Sequence, residues 1–239
     1  MGKQIIKLLP ALALFMIMAP GSAAPLEDTM QLKNLKWLGH DTFLITGGKT
    51  IYTDPFQITK PGPQADIILI THEHRDHCSP EDVAKVSGAG TFIVATPDCL
   101  KKLEGVSRKE IRTVAPGETL NIDGVEIRAV RAYNTNKKFH PRENGWVGFV
   151  FNADGISYYL AGDTDHIPEM KDIRCDVALL PVSGTYVMTA EEAAAAALDI
   201  RPAVAVPMHY GSIVGEASDA ARFASLLKGK VEVRVLGKE

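Results

Sequence analysis

The fold of this chain turns on Asp66-Ile67-Ile68-Leu69-Ile70 and the stretch that follows it, Thr71-His72-Glu73-His74-Arg75-Asp76-His77-Cys78. The first five residues form a short, almost continuous apolar run, the pattern of a strand buried on both faces. Beyond the second stretch, Ser79 can N-cap a helix that Pro80 opens, with Asp82 at the third helical position. Three histidines and Asp76 therefore sit on a loop leaving the carboxyl end of a central strand, where α/β sheets place their ligands. In extended backbone, residues two apart point the same way, so His72 and His74 can face one ion together. The chain then curls into the helix and aims Asp76 and His77 at a second point nearby. Neutral imidazole and carboxylate oxygen are ligands for zinc and its first-row neighbours. A polar loop whose histidines merely cap the strand end is the bland alternative. Three His and one Asp in this frame argue against it.

The 239 residues suit one large domain or two fused halves, and 46% apolar residues is the content of a globular core. The formal charge of -3 provides no bulk basic field, so nucleic acid is not indicated as a partner. Residues 1–24 have the form of a secretory signal: Lys3 and Lys7 flank an apolar run from Leu8 to Ala19, and Gly21-Ser22-Ala23 offers small residues for cleavage. The run is short for a membrane span, and a retained anchor is its other reading. Residues 25–239 are then the mature domain, exported to the periplasm or beyond, without stable membrane insertion. Cys78, Cys99 and Cys175 are odd in number and loosely spaced, so they make no disulfide framework. Cys78 is expected as an inert thiol packed beneath the loop.

Elsewhere the pattern alternates strands with few helices. Leu35–Gly39 and Thr42–Thr46 flank His40-Asp41, and Gly47-Gly48 turns the chain into Thr50–Asp54. Thr91–Ala95 is another buried strand, and Pro97 to Leu103 is expected as a short helix. Asp123-Gly124 and Asp154-Gly155 mark strand turns, and Thr189 with Glu192 forms a capping box for an Ala-rich helix. Asp176–Pro181 and Ala203–Met208 are further buried strands; a helix from about Glu216 to Leu227 and a strand Val231–Val235 close the chain. All seven histidines fall at strand ends or on the loops that follow.

The His-x-His-x-Asp-His run of residues 72–77 resembles the metal motif of the metallo-β-lactamase superfamily. Trp37-Leu38-Gly39-His40 and the neighbouring text look like its branch of small metal-dependent hydrolases related to L-ascorbate-6-phosphate lactonase. The resemblance runs from about Trp37 to Gly237 and implies an α/β fold, a four-layer αβ/βα sandwich with the metals in a cleft along one edge. It implies that His72, His74 and a third His hold one ion and that Asp76, His77 and His209 hold the other. Asp163, in Gly162-Asp163-Thr164, matches the bridging carboxylate, and Asp54 matches an Asp that supports the metal loop by hydrogen bonding. Where many relatives have the third His, this chain has Asn134; His140 is the histidine close enough to replace it. Asp165 and His166 have no secure counterpart, and Gly184 and Tyr186 fall at the mouth of the cleft. The implied activity is hydrolysis of an ester-type bond, of phosphodiesterase or lactonase type, by a metal-bound hydroxide at a dinuclear site. Asp76 is a candidate proton acceptor and His40 a candidate proton donor to the leaving group. Zinc is the expected metal, with manganese, iron or nickel compatible with the same donors. Lys137, Lys138 and Arg142 beside His140, with Arg75 in the metal loop, suggest a small anionic, phosphate-bearing substrate. A lactonase for neutral substrates and an exported metal-binding protein without turnover are the competing readings.

Overall fold

The computed structural model describes residues 1–2, 32–60 and 62–239. The leader assigned to residues 1–24 lies outside the described residues, apart from its first two. The rest of the chain builds two mixed sheets, in accord with the αβ/βα sandwich. The first comprises β1 (Leu35–Gly39), β2 (Thr42–Ile45), β3 (Ile51–Thr53), β4 (Ile67–Ile70), β5 (Phe92–Ala95) and β6 (Glu110–Thr113), hydrogen-bonded in sequence order. Its first three strands are antiparallel and its last four, sharing β3, are parallel. The second sheet contains β7 (Thr119–Ile122), β8 (Val125–Arg131), β9 (Val147–Ala153), β10 (Ile156–Leu160), β11 (Val177–Pro181), β12 (Val204–Met208) and β13 (Glu232–Val233). It repeats the plan: antiparallel from β7 to β10, then parallel to β13.

The parallel strands are the apolar runs because both of their faces are covered. Every residue of β4, β5, β11 and β12 is buried. Helix α1 (Pro80–Val86) follows the metal loop, with Ser79 accepting from the Asp82 amide at its N-cap. Helix α2 (Ala190–Ile200) carries the Thr189–Glu192 capping box, and α3 (Ala217–Leu227) buries Ala220, Phe223 and Leu227. Cys78 and Cys99 are both fully buried in the core cluster under the first sheet. The Pro97–Leu103 segment departs from the expected helix: only Pro97–Cys99 forms a 3-10 turn. It is drawn down by Cys99 and Leu103 in the core, while Thr96 Oγ1 and Trp146 Nε1 both donate to the Asp98 carboxylate and pin its start. The last strand is also shorter than expected, two residues pairing at the edge of β12.

One buried carboxylate ties the loop after β3 to α1. Asp82 accepts from the backbone amides of Gln57 at 2.9 Å and Ile58 at 3.0 Å, from Ser79 Oγ at 2.8 Å and from Lys85 Nζ at 2.7 Å. Asp82→Ala would leave two amides unsatisfied and should cost about 2–3 kcal/mol of unfolding free energy. Urea denaturation measures this, and a loss below about 0.5 kcal/mol, the level of an ordinary surface change, would contradict the role given to Asp82.

Candidate metal centre

Strand ends from both sheets deliver the site. β4 leads into Thr71–Cys78, β1 into His40, β10 into Gly162-Asp163, and β12 into His209. Two backbone hydrogen bonds lock the sheets together here: Val147 N donates to Thr71 O and His209 N donates to His40 O, each at 3.2 Å. Gly162 has φ +64°, and a Cβ there would stand 3.1 Å from both Thr71 Cβ and Val147 O. Glycine lets the chain carry Asp163 that close to the metal loop. His40, Asp54 and His209 adopt positive φ of 52°, 34° and 59°, a strained conformation for residues with a Cβ.

The side chains form two sets of donors. His72, His74 and His140 offer three nitrogens within 4.8 Å of one another, and so do His40, Asp76, His77 and His209 with one atom each. Asp163 stands between the sets. Its Oδ2 lies 3.1 Å from His140 Nε2, and its Oδ1 lies 3.2 Å from His209 Nε2 and 3.3 Å from His77 Nε2. The Nε2 atoms of His72, His77, His140 and His209, and Asp163 Oδ1, are all buried without a hydrogen-bond partner. Each such orphan costs about 1–3 kcal/mol in a protein interior. Five converging on one spot, all nitrogen or carboxylate oxygen, are the donors a divalent first-row cation takes. The residues present fit the ions.

The other ring nitrogens are held from behind. Asp54 accepts from Thr71 N at 2.8 Å, Thr71 Oγ1 at 2.7 Å and His77 Nδ1 at 2.8 Å. With its single hydroxyl proton given to Asp54, Thr71 Oγ1 accepts from His72 Nδ1 at 3.0 Å. Asn134 does the same for His140: its Oδ1 accepts from His140 N at 3.0 Å and Nδ1 at 3.1 Å. The Asn134 amide is oriented in turn by donating to Asp165 Oδ1 at 3.1 Å and Tyr186 O at 2.9 Å. His72, His77 and His140 thus carry a proton on Nδ1 and turn Nε2 to the site. Ser183 Oγ lies 3.1 Å from His209 Nδ1. Without a cation, burial disfavours charge on His77 and His209. The Asp163 carboxylate outweighs this, raising His77 well above its ordinary range and His209 to about 9. Burial, with the neighbouring His77, His140 and His74, lowers His72 well below its ordinary range despite Asp163.

The predicted residues His72, His74, His140, Asp163, Asp76, His77 and His209 are therefore brought together, and Asn134 braces His140. Other expectations are corrected. His40 is 1% exposed, and its Nε2 lies 3.0 Å from Asp76 Oδ2; burial holds its pKa down to about 4. Neutral, enclosed and hydrogen-bonded to Asp76, it orients that carboxylate and is not placed to protonate a leaving group. Lys137 is not a free clamp, because its ammonium pairs with buried Asp165 and faces Glu192. Arg142 pairs with Glu169 and lies over the Tyr133 ring. Asp165 is the organiser of this loop: it accepts from Asn134, Thr135 and Lys137. His166 pairs with Asp199 outside both donor sets. Gly184, at φ +73°, turns the loop that brings Tyr186 to the cleft. Two residues escaped the sequence reading. Trp146 walls the first set, its ring 4.7 Å from those of His72 and His74. Asp41 is fully buried beside the second set. Only the adjacency of Asp41 to His40, and of Trp146 to the irregular loop, marked them.

Two cavities open on the centre and meet at Asp76 and Ile213. One, of about 290 Å³, is lined by His74, Asp76, His140 and Asp163 with Phe139, Tyr186 and Ile213. The other, of about 400 Å³, adds Phe56, Gln57, Arg75 and Glu81.

A family profile described as a beta-lactamase superfamily domain matches residues 34–209. A UPF0173 metal-dependent hydrolase of Thermoplasma acidophilum is 34% identical, over 82% of this chain and 92% of its own. One from Thermococcus kodakarensis is 35% identical, over 84% and 95%. Among solved structures, a protein of Parabacteroides distasonis assigned as a metal-dependent hydrolase superposes with a TM-score of 0.75 at 35% identity, over 84% of this chain and 91% of that one. A metallo hydrolase of Ignicoccus hospitalis gives 0.67 at 26%, over 85% and 94%. With its cross-sheet cleft of imidazoles and carboxylates, the chain belongs to the metallo-β-lactamase superfamily, among the metal-dependent hydrolases of the UPF0173 group.

Proposed function

We propose that the protein hydrolyses an ester-type bond of a small substrate at a centre holding two divalent ions. His72, His74 and His140 would hold one ion and Asp76, His77 and His209 the other, with Asp163 placed to serve both. The observation that carries this is the division of the Asp163 oxygens between two groups of unpartnered Nε2 atoms. Ions held there supply an acidified water and the Lewis acidity that ester hydrolysis needs. The chain's own groups do the rest. Asp54, Thr71 and Asn134 fix the imidazoles, and Trp146 walls the first set. Burial opposes charge on Asp76, yet the His40 hydrogen bond and the nearby His77 hold its carboxyl well below the usual range. So weak a base is suited to ligation, and we assign it that role with His40 as its support.

The cleft also speaks to the substrate. Phe139 and Tyr186 meet edge to face at 4.6 Å, and Phe139 and Ile213 are each 50% exposed on the rim. That rim suits an apolar substituent. Arg75, exposed at the second cavity, and the exposed Lys138 are the cations left to meet a phosphate or carboxylate, since Lys137 and Arg142 are engaged. A phosphorylated lactone and a phosphodiester both satisfy this. The apolar rim also favours a second reading, a lactonase for neutral substrates.

Calorimetric titration of metal-stripped protein should give two ions per chain, with His74→Ala losing the first and His209→Ala the second. Asn134→Ala should weaken the first site about tenfold by freeing His140, the scale of losses on removing a residue that orients a ligand. Because the His209 proton must leave, binding should release protons and tighten as pH rises towards about 9. Full occupancy in both histidine variants would overturn the assignment.

Matched anionic and neutral esters separate the substrate readings. Arg75→Ala should lower kcat/KM for the anionic ester at low salt and leave the neutral one unchanged. The difference should shrink at high salt as screening removes it. A variant that matches wild type on the anionic ester, or a wild type that prefers the neutral ester, would leave the neutral lactonase as the better account.

A further inference from the structure

Asp41 follows His40 in the turn between β1 and β2, and its side chain is fully buried. Both of its carboxylate oxygens lack a hydrogen-bond partner. This is not how the protein treats the buried carboxylates that hold its loops. Asp54 accepts three hydrogen bonds, and Asp82 and Asp165 each accept four or more. Among the described residues, Asp163 is the other buried carboxylate with an orphaned oxygen, and it lies between the metal donor sets. Asp41 is close by. Its Oδ2 is 3.8 Å from His77 Nδ1, and it offers an oxygen within 4.8 Å of donor atoms of Asp163 and His209. The groups facing it are thus His77, His209, Asp54 and Asp163, two imidazoles and two carboxylates.

A buried carboxylate among other carboxylates is strongly unfavourable unless a cation compensates it. A structural Asp at this turn would cap backbone amides, and Asp41 caps none. We propose that Asp41 is a further carboxylate of the second metal site, its charge balanced by the cation that Asp76, His77 and His209 hold. The inference rests on the two-ion reading above. It also gives a reason for two ions. Asp41, Asp54, Asp76 and Asp163 bring four negative charges to one enclosed centre, and two divalent cations match them.

Asp41→Asn keeps the shape and removes the charge. Metal titration should show the first site unchanged and the second weakened tenfold or more, with manganese or zinc as the probe. Added metal should raise the melting temperature of wild type by more than that of the variant. A merely structural Asp41 would leave both second-site affinity and the metal-induced rise intact, and either result overturns the proposal. Asp41→Ser, smaller and equally neutral, is run in parallel. Failure of both variants to fold without metal would also overturn it, since it would make Asp41 a structural residue. Wild type binding a single ion would defeat the two-ion reading itself. Two ions in wild type with equal second-site affinity in Asp41→Asn would defeat this inference alone.

Discussion

The Asp163 carboxylate, with one oxygen turned to His140 and the other to His77 and His209, is the contact on which the centre depends. It joins donors from both halves of the chain. His77 comes from the first sheet, while His140, Asp163 and His209 come from strands and a loop of the second. The strand ends of the two sheets must therefore lie side by side for the site to exist. The fold secures that with the Val147–Thr71 and His209–His40 backbone bonds and with glycine at position 162. Strained backbone at His40, Asp54 and His209 belongs to the same arrangement, because strain of this kind persists only where the surroundings over-determine it.

Ring orientation is the second layer of control. A single Asp54 carboxylate fixes His77 directly and His72 through the Thr71 hydroxyl, so one buried acid sets a ring in each donor set. Asn134 solves a different problem. The third imidazole arrives from a loop six residues further on, and the Asn134 amide holds both its backbone and its ring. Asp165 and Lys137 keep that loop folded behind it. Lys137, which looked available for substrate, is thus part of the support for a ligand.

What could be read from the sequence was local. The apolar run of β4 and the spacing of His72, His74, Asp76 and His77 are contiguous, and so are the Ser79–Asp82 cap and the Thr189–Glu192 box. His209, Asp163 and Asp54 were legible only through family resemblance, since nothing in their spacing brings them near residue 72. The Asn134–Asp165–Lys137 network could not be seen, because its partners lie about thirty residues apart and pair only once β8 and β10 are in place. Lys137 was misjudged for that reason. Asp41 was missed, and the enclosure of His40 with it, for another reason: charge and type are visible in a sequence, but burial is not. The 97–103 segment failed as a helix because two buried side chains and an engaged Asp98 outweighed weak local propensity.

The most direct test of the centre is anomalous diffraction from crystals loaded with zinc or manganese. The account predicts two peaks per chain, one within ligand distance of the His72, His74 and His140 Nε2 atoms and one beside Asp76, His77 and His209, with Asp163 contacting both. A single peak, or a pair in which Asp163 touches only one ion, would contradict it.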